Sequence, residues 1–386
     1  MSKDLARPSA WHINSLDGLR GIAFLLVFLR HYTLTTHADS HLLGLAMFVG
    51  QGGWMGVDLF FTLSGFLITG ILLDTRNAPG YLRNFYARRT LRIFPLYYGV
   101  FLLLFLLTPV LHLQWHLGHI AYLLYVGNIA YLMNGTLATV KPWISLLHFW
   151  SLALEEQFYL LWPWIVLFIA RRRHLALACL GLSVSALVLR LSLLFIFPTD
   201  RACELSYALL PTHMDGLLYG ALAALWVRAR PLLSIQPLAR RISLVAVGAM
   251  AIIFAVNGFD FHTISMDTVG YPVLAALFTS VLVQALNPGS WASRLGSLRP
   301  LRFFGKYSYG LYVYHILFLP GLAPCQHELQ NWLHSVLWGG LLFDMLMLAG
   351  TTALAVLSYH VYEKRWLSLK RFFEYKEPSR KVSVAP

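Results

Sequence analysis

The sequence predicts an all-α polytopic membrane protein with about ten transmembrane helices and both termini in the cytoplasm. Of its 386 residues, 58% are hydrophobic and only 12% are charged, and the mean hydropathy is +0.62. Soluble domains carry about 25% charged residues, so most of this chain must lie in lipid. The net charge of +13 comes from basic residues in short loops between apolar runs. That pattern is typical of cytoplasmic loops and not of a surface that binds nucleic acid.

Ten apolar runs are long enough to cross about 30 Å of hydrocarbon. They lie near residues 17–37, 53–73, 93–111, 148–170, 175–197, 205–227, 242–258, 267–286, 306–322 and 336–358. The first run has no small-residue cleavage site, so we expect it to be kept as a helix. We predict one membrane domain over residues 1–386, with a short cytoplasmic N-terminus (residues 1–16) and a cytoplasmic tail (residues 363–386).

The positions of Lys and Arg give the predicted orientation and test an eleventh run, residues 117–133. With ten spans and the N-terminus inside, all but four of the 30 basic residues lie on the cytoplasmic side; the four are Arg30, Lys141, Arg190 and Arg201. A full span at residues 117–133 would move the 18 cytoplasmic basic residues that follow it to the outside, against the positive-inside bias. We therefore expect an outer loop over residues 112–147 in which this run is re-entrant or interfacial. Its His112, His116, His119, Asn128 and Asn134 are available to line a cavity.

Cysteine and histidine spacings predict neither a disulfide framework nor a metal site. Three cysteines are too few for a framework. Cys203 and Cys325 fall in loops predicted on the same outer side, where a bridge between them stays open. The fifteen histidines are dispersed, with no paired metal-ligand spacing, and no phosphate-binding loop or nucleophile elbow occurs.

The first candidate site pairs Arg20 with His31 in LDGLRGIAFLLVFLRHY. Eleven helical steps bring the chain almost back to its starting direction over a rise of about 16 Å. Ionisable groups inside a span are costly and mark a functional site by default. A histidine can act as a general base near neutral pH, so we assign His31 a functional role. Arg20 by itself is equally explained as a positive-inside residue.

The second candidate site is HFWSLALEEQFYLLWPW, at the outer start of the fourth span. Two adjacent carboxylates at the mouth of a membrane helix need partners, and Glu155 and Glu156 point about 100° apart. Ser151 and His148 precede Glu155 by four and seven residues and share its helix face. A carboxylate that complements the helix dipole explains one glutamate but not the whole cluster.

The third candidate is the basic cluster in NFYARRTLRIFPLYY, where Arg88, Arg89 and Arg92 stand at the inner end of the third span. Such a cluster suits phosphate groups. Topology and contact with lipid headgroups explain it equally well.

Two further motifs hold isolated polar groups in apolar runs. Asp58 in GVDLFFTLSGFLITG needs a cation or donor within the bundle, whereas Ser64 and the nearby glycines favour close helix packing. Tyr309 and His315 in GKYSYGLYVYH could line an acceptor cavity, although an aromatic belt at the membrane interface explains the tyrosines equally well.

With these motifs assembled, the chain resembles the acyltransferase family 3 membrane proteins over nearly its whole length. The spacing of Arg20 and His31 matches the family's arginine–ten residues–histidine pattern, and HFWSLALEEQFYLLWP is the most specific match. GVDLFFTLSGFLI, FYARRTLRIFPLYY and GKYSYGLYVYH resemble three further family motifs. Members are ten-span enzymes that transfer acyl groups, often acetyl, from acyl-CoA to sugars and related acceptors.

The resemblance implies acyl-CoA as the donor substrate and no permanently bound cofactor. The CoA phosphates would bind Arg88, Arg89 and Arg92 at the cytoplasmic face, with Arg20 beside them. The pantetheine arm would then run between the helices toward His31. It also implies an enzyme of the bacterial cytoplasmic (inner) membrane.

On the acceptor side, the resemblance implies that His31, oriented by Glu155, takes the proton of a hydroxyl on a carbohydrate or glycolipid. The residues expected to contact this acceptor are His148, Ser151, Asp58, Tyr309 and His315. The acceptor's identity, the acyl chain length and the oligomeric state stay open. A transporter of a small solute or glycolipid is the competing class and predicts inverted-repeat symmetry, which the sequence does not display. A membrane adaptor without chemistry would leave the buried charges unexplained.

Overall fold

The computed structural model describes residues 13–32 and 50–375, together with Gly44 and Met47. The end of the predicted first span (residues 33–37), most of the N-terminus and the end of the tail lie outside the described residues. The basic residues Lys3, Arg7, Lys376, Arg380 and Lys381 are among these residues outside the described part. The regular structure of the described part is almost entirely helical, as predicted.

The helices follow one another along the chain with short connections. They are α1 Asn14–Tyr32, α2 Met55–Thr75, α3 Tyr81–Leu106, α4 Thr108–Leu111, α5 Ile120–Leu123, α6 Gly127–Met133, α7 Phe149–Phe168, α8 Arg172–Ile196, α9 Thr199–Ala208, α10 Asp215–Ala229, α11 Leu232–Asn257, α12 Tyr271–Ala285, α13 Trp291–Gly296, α14 Arg299–Tyr314, α15 Leu319–Trp332, α16 Val336–Ser358 and α17 Lys364–Ser368. Single 3₁₀ turns cover Gly52–Trp54, Leu117–His119, Gly135–Ala138, Leu210–Thr212 and Leu369–Phe373, and π turns cover Met266–Gly270 and Tyr359–Glu363.

Six of the described helical segments are long and apolar enough to cross a membrane. They contain α2, α3, α8, α11, α12 and α16, and they identify the chain as an integral membrane protein. The other four predicted spans correspond to α1, α7, α10 and α14. These helices are shorter or carry more charge, as with Asp17, Arg20 and Arg30 in α1. The total of ten spans therefore stays a prediction, and so does the side of the membrane on which each terminus lies.

Two predicted spans are interrupted in the structure. The run near residues 205–227 breaks at Leu210–Thr212 before α10 begins, and the run near 306–322 ends as α14 at Tyr314, with α15 starting at Leu319. Pro211 and Pro320 stand at the first turns of the new segments. Proline lacks an N–H group and cannot continue a helix, but it suits the first turn of the next one.

The run at residues 117–133 is not a continuous span, as predicted. Its longest helix, α6, has seven residues, which is about 10 Å and far short of the hydrocarbon thickness. Strands β1 Thr139–Lys141 and β2 Ile144–Ser145 follow as a small antiparallel hairpin. Asn128 donates to the Ala208 carbonyl oxygen at 2.8 Å.

Helix α1 is the central element for the site, because it packs backbone to backbone against its neighbours. A Cβ added at Gly18 would overlap the Gly296 carbonyl, and one at Gly305 would overlap the Asp17 carbonyl. These glycines let α1 approach α13 and α14 closely. We call the two ends of this packed helix the Arg20 end and the His31 end.

Helices α2 and α10 form a second close pair. Gly65 faces the Leu217 carbonyl and Gly220 faces the Thr62 carbonyl, and neither position has space for a Cβ. Helix α7 packs on α2, and the largest apolar core, which includes Phe61, Phe158 and Trp162, lies between them. The polar side chains of α7 are thereby held against α1, α2 and α14.

Candidate active site

Three histidines from distant parts of the chain meet at the His31 end. The His31 ring on α1 lies 5.1 Å from the ring of His315, which directly follows α14. His315 lies in turn 5.4 Å from His148, which precedes α7. The hydroxyl of Tyr32 donates to the His315 carbonyl oxygen, which links α1 to the end of α14. We call His31, His148 and His315 the histidine cluster.

Hydrogen bonds define which nitrogen of two cluster members carries the proton. His148 Nε2 lies 2.9 Å from the Val313 carbonyl oxygen, and His315 Nδ1 lies 2.6 Å from the Tyr312 carbonyl oxygen. A carbonyl oxygen only accepts, so each of these ring nitrogens is the donor. The opposite nitrogens, His148 Nδ1 and His315 Nε2, are buried without a hydrogen-bond partner among the described residues. Each ring therefore presents an acceptor lone pair to whatever enters the cluster.

A pair of hydroxyl groups lies directly beside the cluster. Ser151 Oγ and the Tyr312 hydroxyl hydrogen-bond each other, and each lies 3.2 Å from the His148 carbonyl oxygen. The structure thus brings Ser151, His148 and His315 together with Tyr312, and their contact with an acceptor stays a prediction. Tyr309, by contrast, donates to the Ile93 carbonyl oxygen on α3 at 2.7 Å. Tyr309 thus lies one turn of α14 away from the cluster, and its contact with an acceptor stays a prediction.

A cavity of about 770 Å³ opens onto the cluster, and we call it the His31 cavity. His31, His148 and Tyr312 form one part of its wall. The remaining lining combines rings with charged groups: Trp54, Trp150, Tyr207, Phe261, Arg30, Asp200, Arg201, Glu204 and Asp260. Most of these residues come from α9 and from the segment between α11 and α12. No local pattern in the sequence connects those segments to His31.

The histidines and asparagines of the predicted outer loop do not line this cavity. His119 accepts from the His116 backbone N–H through Nδ1, and its Nε2 lies 3.2 Å from the Thr139 carbonyl oxygen. Burial lowers the pKa of His119. These contacts hold the loop together. His116 and His119 line a different cavity, of about 690 Å³, beside Phe94, Tyr98 and Trp115, so the expectation that loop histidines line a cavity holds for these two.

Asp58 has the buried partner that its position requires, but it does not contact the cavity. Its Oδ1 lies 2.9 Å from Nε2 of His213, whose Nδ1 lies 2.6 Å from the Tyr207 carbonyl oxygen. Val57 lines the cavity instead, since successive helical residues point about 100° apart. The contact of Asp58 with an acceptor stays a prediction, and the Asp58–His213 pair supports the aromatic wall behind Tyr207. Sequence reasoning did not identify His213.

Glu155 lies farther along α7, toward the Arg20 end. It accepts a hydrogen bond of 2.6 Å from Ser64 on α2. Within the described part of the chain, Glu155 and His31 share no hydrogen bond, and a role of Glu155 in orienting His31 stays a prediction. Glu155 lies one turn beyond Ser151 and faces α2.

Arg89 joins the glutamates to the basic cluster of α3. Its guanidinium lies 3.7 Å from the centroid of the Tyr159 ring, and its Nε lies 3.8 Å from Oε1 of Glu156. It also interacts electrostatically with Glu155. An arginine held by a ring face and a carboxylate is fixed in position, with part of its charge already balanced.

The other arginines of the basic cluster have different surroundings. Arg88 donates to the carbonyl oxygens of Lys370 and Phe373 at 3.2 and 3.4 Å, so it anchors the C-terminal segment. Arg20 donates to Asp17 at 3.0 Å and is 35% exposed. Arg92 lies within electrostatic range of Arg20, Arg89 and Glu363, and no hydrogen bond of its side chain occurs among the described residues. Arg92 with Arg20 is thus the more available part of the cluster for an anion.

One face of α7 connects the two ends. His148, Ser151, Glu155 and Tyr159 follow one another at intervals of three or four residues, which places them on one helix face over about 16 Å. We call this face the polar track. It begins at the histidine cluster and ends at Arg89, and its length equals the rise between Arg20 and His31.

Comparison with known proteins agrees with the motifs. A family model described as an acyltransferase domain, acyltransferase family 3, matches residues 13–360. The chain is 28% identical over 379 residues to the peptidoglycan O-acetyltransferase OatA of Listeria monocytogenes, covering 94% of this chain and 57% of the relative. It is 29% identical over 373 residues to YrhL of Bacillus subtilis, a protein named as a candidate peptidoglycan O-acetyltransferase, covering 92% and 54%.

The chain spans little more than half the length of these curated relatives. No solved structure matches it. The family model covers most of the chain, including the histidine cluster, the polar track and the arginines of α3. This chain therefore belongs to acyltransferase family 3.

Proposed function

We propose that this protein is an integral-membrane O-acyltransferase that moves an acyl group, acetyl in the simplest case, from cytoplasmic acyl-CoA to a hydroxyl of a carbohydrate or glycoconjugate. The observation that carries the proposal is the polar track, which joins an arginine cluster at one end to a histidine cluster beside a cavity at the other. The bacterial relatives support a place in a bacterial cytoplasmic membrane.

The donor would enter from the Arg20 end. Arginine pairs well with phosphate oxygens, and Arg20 and Arg92 are the guanidinium groups with the fewest protein partners there. Arg89 would add charge from its place over Tyr159. The extended pantetheine arm matches the polar track in length, so the thioester would arrive beside His31.

The transfer step needs a base at the acceptor hydroxyl. His31 would take the hydroxyl proton while the oxygen attacks the thioester carbonyl carbon. The carbon–sulfur bond then breaks, and the proton passes from His31 to the departing CoA sulfur. The lone pairs on His148 Nδ1 and His315 Nε2 provide buried acceptors for the acceptor hydroxyl or for the N–H of protonated His31.

The His31 cavity supports a carbohydrate as acceptor. Its aromatic rings offer flat apolar faces, and its charged side chains offer hydrogen bonds around the rim. Peptidoglycan, the glycan in the name of the Listeria relative, is one acceptor of this class. The family match favours acyl transfer over the transporter alternative.

The test uses membranes that contain the protein, radiolabelled acetyl-CoA and a glycan acceptor. His31→Asn should lower acceptor labelling by about 10²–10⁴-fold, the usual contribution of a general base. His174→Asn, at an exposed position, is the matched control and should retain full labelling. Undiminished labelling with His31→Asn would exclude the proposed base. Transport of the acceptor without any acetyl mass shift would exclude acyl transfer.

A further inference from the structure

A second large cleft opens on the outside of the bundle between α11 and α12, with α1 as its floor. It has a volume of about 1160 Å³, and we call it the α11 cleft. Its apolar part is lined by Leu19, Ile22, Leu26, Leu244, Val247 and Phe278. Leu244 and Val247 are 64% and 54% exposed, so the cleft faces the surroundings of the bundle. In a membrane, such an apolar opening faces lipid chains.

One end of the α11 cleft is cationic. Arg240 and Arg241 line it, and both side chains are exposed. In the part of the chain that the structure describes, neither guanidinium takes part in a hydrogen bond or ion pair. The neighbouring polar groups are already paired within the protein: Gln236 donates to the Val283 carbonyl oxygen and the Trp291 indole donates to Gln284. The two arginine charges therefore remain uncompensated at this end.

The charged and the apolar lining residues of the cleft occupy different parts of α11. Gln236 and Val247, at opposite ends of the cleft wall, are about 16 Å apart along the helix axis. Arg240 and Arg241 lie nearer to Gln236, and Leu244 lies nearer to Val247. A ligand that fits must combine a compact anionic group with a long apolar chain, which is the chemistry of a phospholipid with a negatively charged headgroup.

We propose that the α11 cleft is a binding site for an anionic glycerophospholipid, with its phosphate at Arg240 and Arg241 and an acyl chain along Leu244 and Val247. Basic residues at a membrane surface attract anionic headgroups, and arginine forks match phosphate oxygens. Trp291 at the same end suits the interface between headgroup and hydrocarbon. The site shares no lining residue with the His31 cavity or the arginines of α3, and it does not depend on the proposed acyl transfer.

The test measures lipid retention on the purified full-length protein by native mass spectrometry. The protein is incubated with equal amounts of dioleoylphosphatidylglycerol and dioleoylphosphatidylcholine, which differ only in the headgroup. We expect the wild type to retain the anionic lipid about tenfold more than the neutral one. Arg240→Gln combined with Arg241→Gln should bring the ratio close to one.

Two further variants separate the headgroup contact from general effects. Arg171→Gln combined with Arg173→Gln removes the same charge at exposed positions outside the cleft and should leave the tenfold preference intact. Val247→Trp fills the exposed apolar wall and should lower retention of both lipids. Equal retention of the two lipids by the wild type, or an unchanged preference in the Arg240/Arg241 variant, would overturn the proposal.

Discussion

Backbone carbonyl oxygens hold the rings of His148 and His315 in place, and the second nitrogen of each ring has no hydrogen-bond partner among the described residues. His148 donates one N–H to the Val313 carbonyl oxygen on α14, and His315 donates one to the Tyr312 carbonyl oxygen within its own turn. Both residues are almost fully buried, at 2% and 1% exposure. A buried acceptor without a donor costs free energy. That cost is recovered when a ligand donor enters, so the two rings favour a substrate hydroxyl over an apolar group.

We expect His315→Ala to lower kcat for acyl transfer by about 10–100-fold, less than the loss of His31, because in the proposed mechanism His31 and not His315 takes the proton. The KM for acetyl-CoA should stay unchanged, because the proposed binding place of the donor phosphates is the other end of the polar track. His327→Ala, at an exposed position on α15, serves as the control. A loss equal to that of His31→Asn would show that His315 is itself the base.

The buried surroundings of Arg190 allow a prediction of the change in the free energy of unfolding when this residue is replaced. It is fully buried on α8 and forms a 2.6 Å ion pair with Asp215, which also accepts from Ser183. Removing one partner of a buried pair leaves an uncompensated charge.

Arg190→Met should therefore destabilise the protein by about 3–5 kcal/mol. Thermal unfolding in detergent measures the effect, and Arg173→Met at an exposed position should change stability by less than about 0.5 kcal/mol. The double variant Arg190→Met with Asp215→Leu should recover most of the loss. An Arg190→Met protein as stable as the wild type would contradict this account of the pair.

At the scale of the elements, the contact of α2 with α10 positions much of the site. Helix α2 carries both Asp58, the partner of His213, and Ser64, the partner of Glu155. Gly65 lies against the backbone of α10, so its Cα hydrogen atoms set the distance between the two helices. Small residues at such contacts are a general device of membrane helices.

Gly65→Val should separate α2 from α10 and lower the yield of folded protein, measured by size-exclusion chromatography in mild detergent. Gly248→Val on α11 is the matched control, since no atom of the described residues lies within 4 Å of a Cβ added there. We expect the control to elute like the wild type. If both variants eluted like the wild type, the close contact of Gly65 with α10 would not be required for folding.

At the scale of the whole molecule, the two ends of the polar track must face opposite sides of the membrane if the donor and the acceptor arrive from different compartments. All three cysteines are free: Cys179 and Cys203 are buried, and Cys325 is exposed on α15. The open question of a Cys203–Cys325 bridge is thus answered in favour of separate thiols. Cys325 is predicted on the outer side, with the histidine cluster.

A membrane-impermeant maleimide should therefore label intact cells at Cys325 alone, and Cys325→Ser should remove the label. In that background, Arg173→Cys should be labelled only after the membrane is permeabilised, because it lies in a loop predicted inside. Labelling of Arg173→Cys in intact cells would reverse the predicted orientation. It would then require the donor to reach the Arg20 end from outside.

The amino-acid sequence alone was enough to predict the membrane class, the broken segment at residues 117–133 and the registration of Arg20 with His31. These follow from composition and from the 100° step of a helix, which act within one segment. It also indicated that Asp58 needs a partner, because an isolated buried carboxylate is costly. It did not name that partner.

The folded structure was needed to show which helices touch. It placed His315 beside His31, His213 beside Asp58, and Ser64 beside Glu155, pairs that lie from 91 to 284 residues apart in the chain. It also turned Tyr309 and Asp58 away from the cavity. Helical periodicity gives the face on which a side chain lies but not the helix that it faces. That choice depends on the packing of glycine contacts and buried charges across the whole bundle.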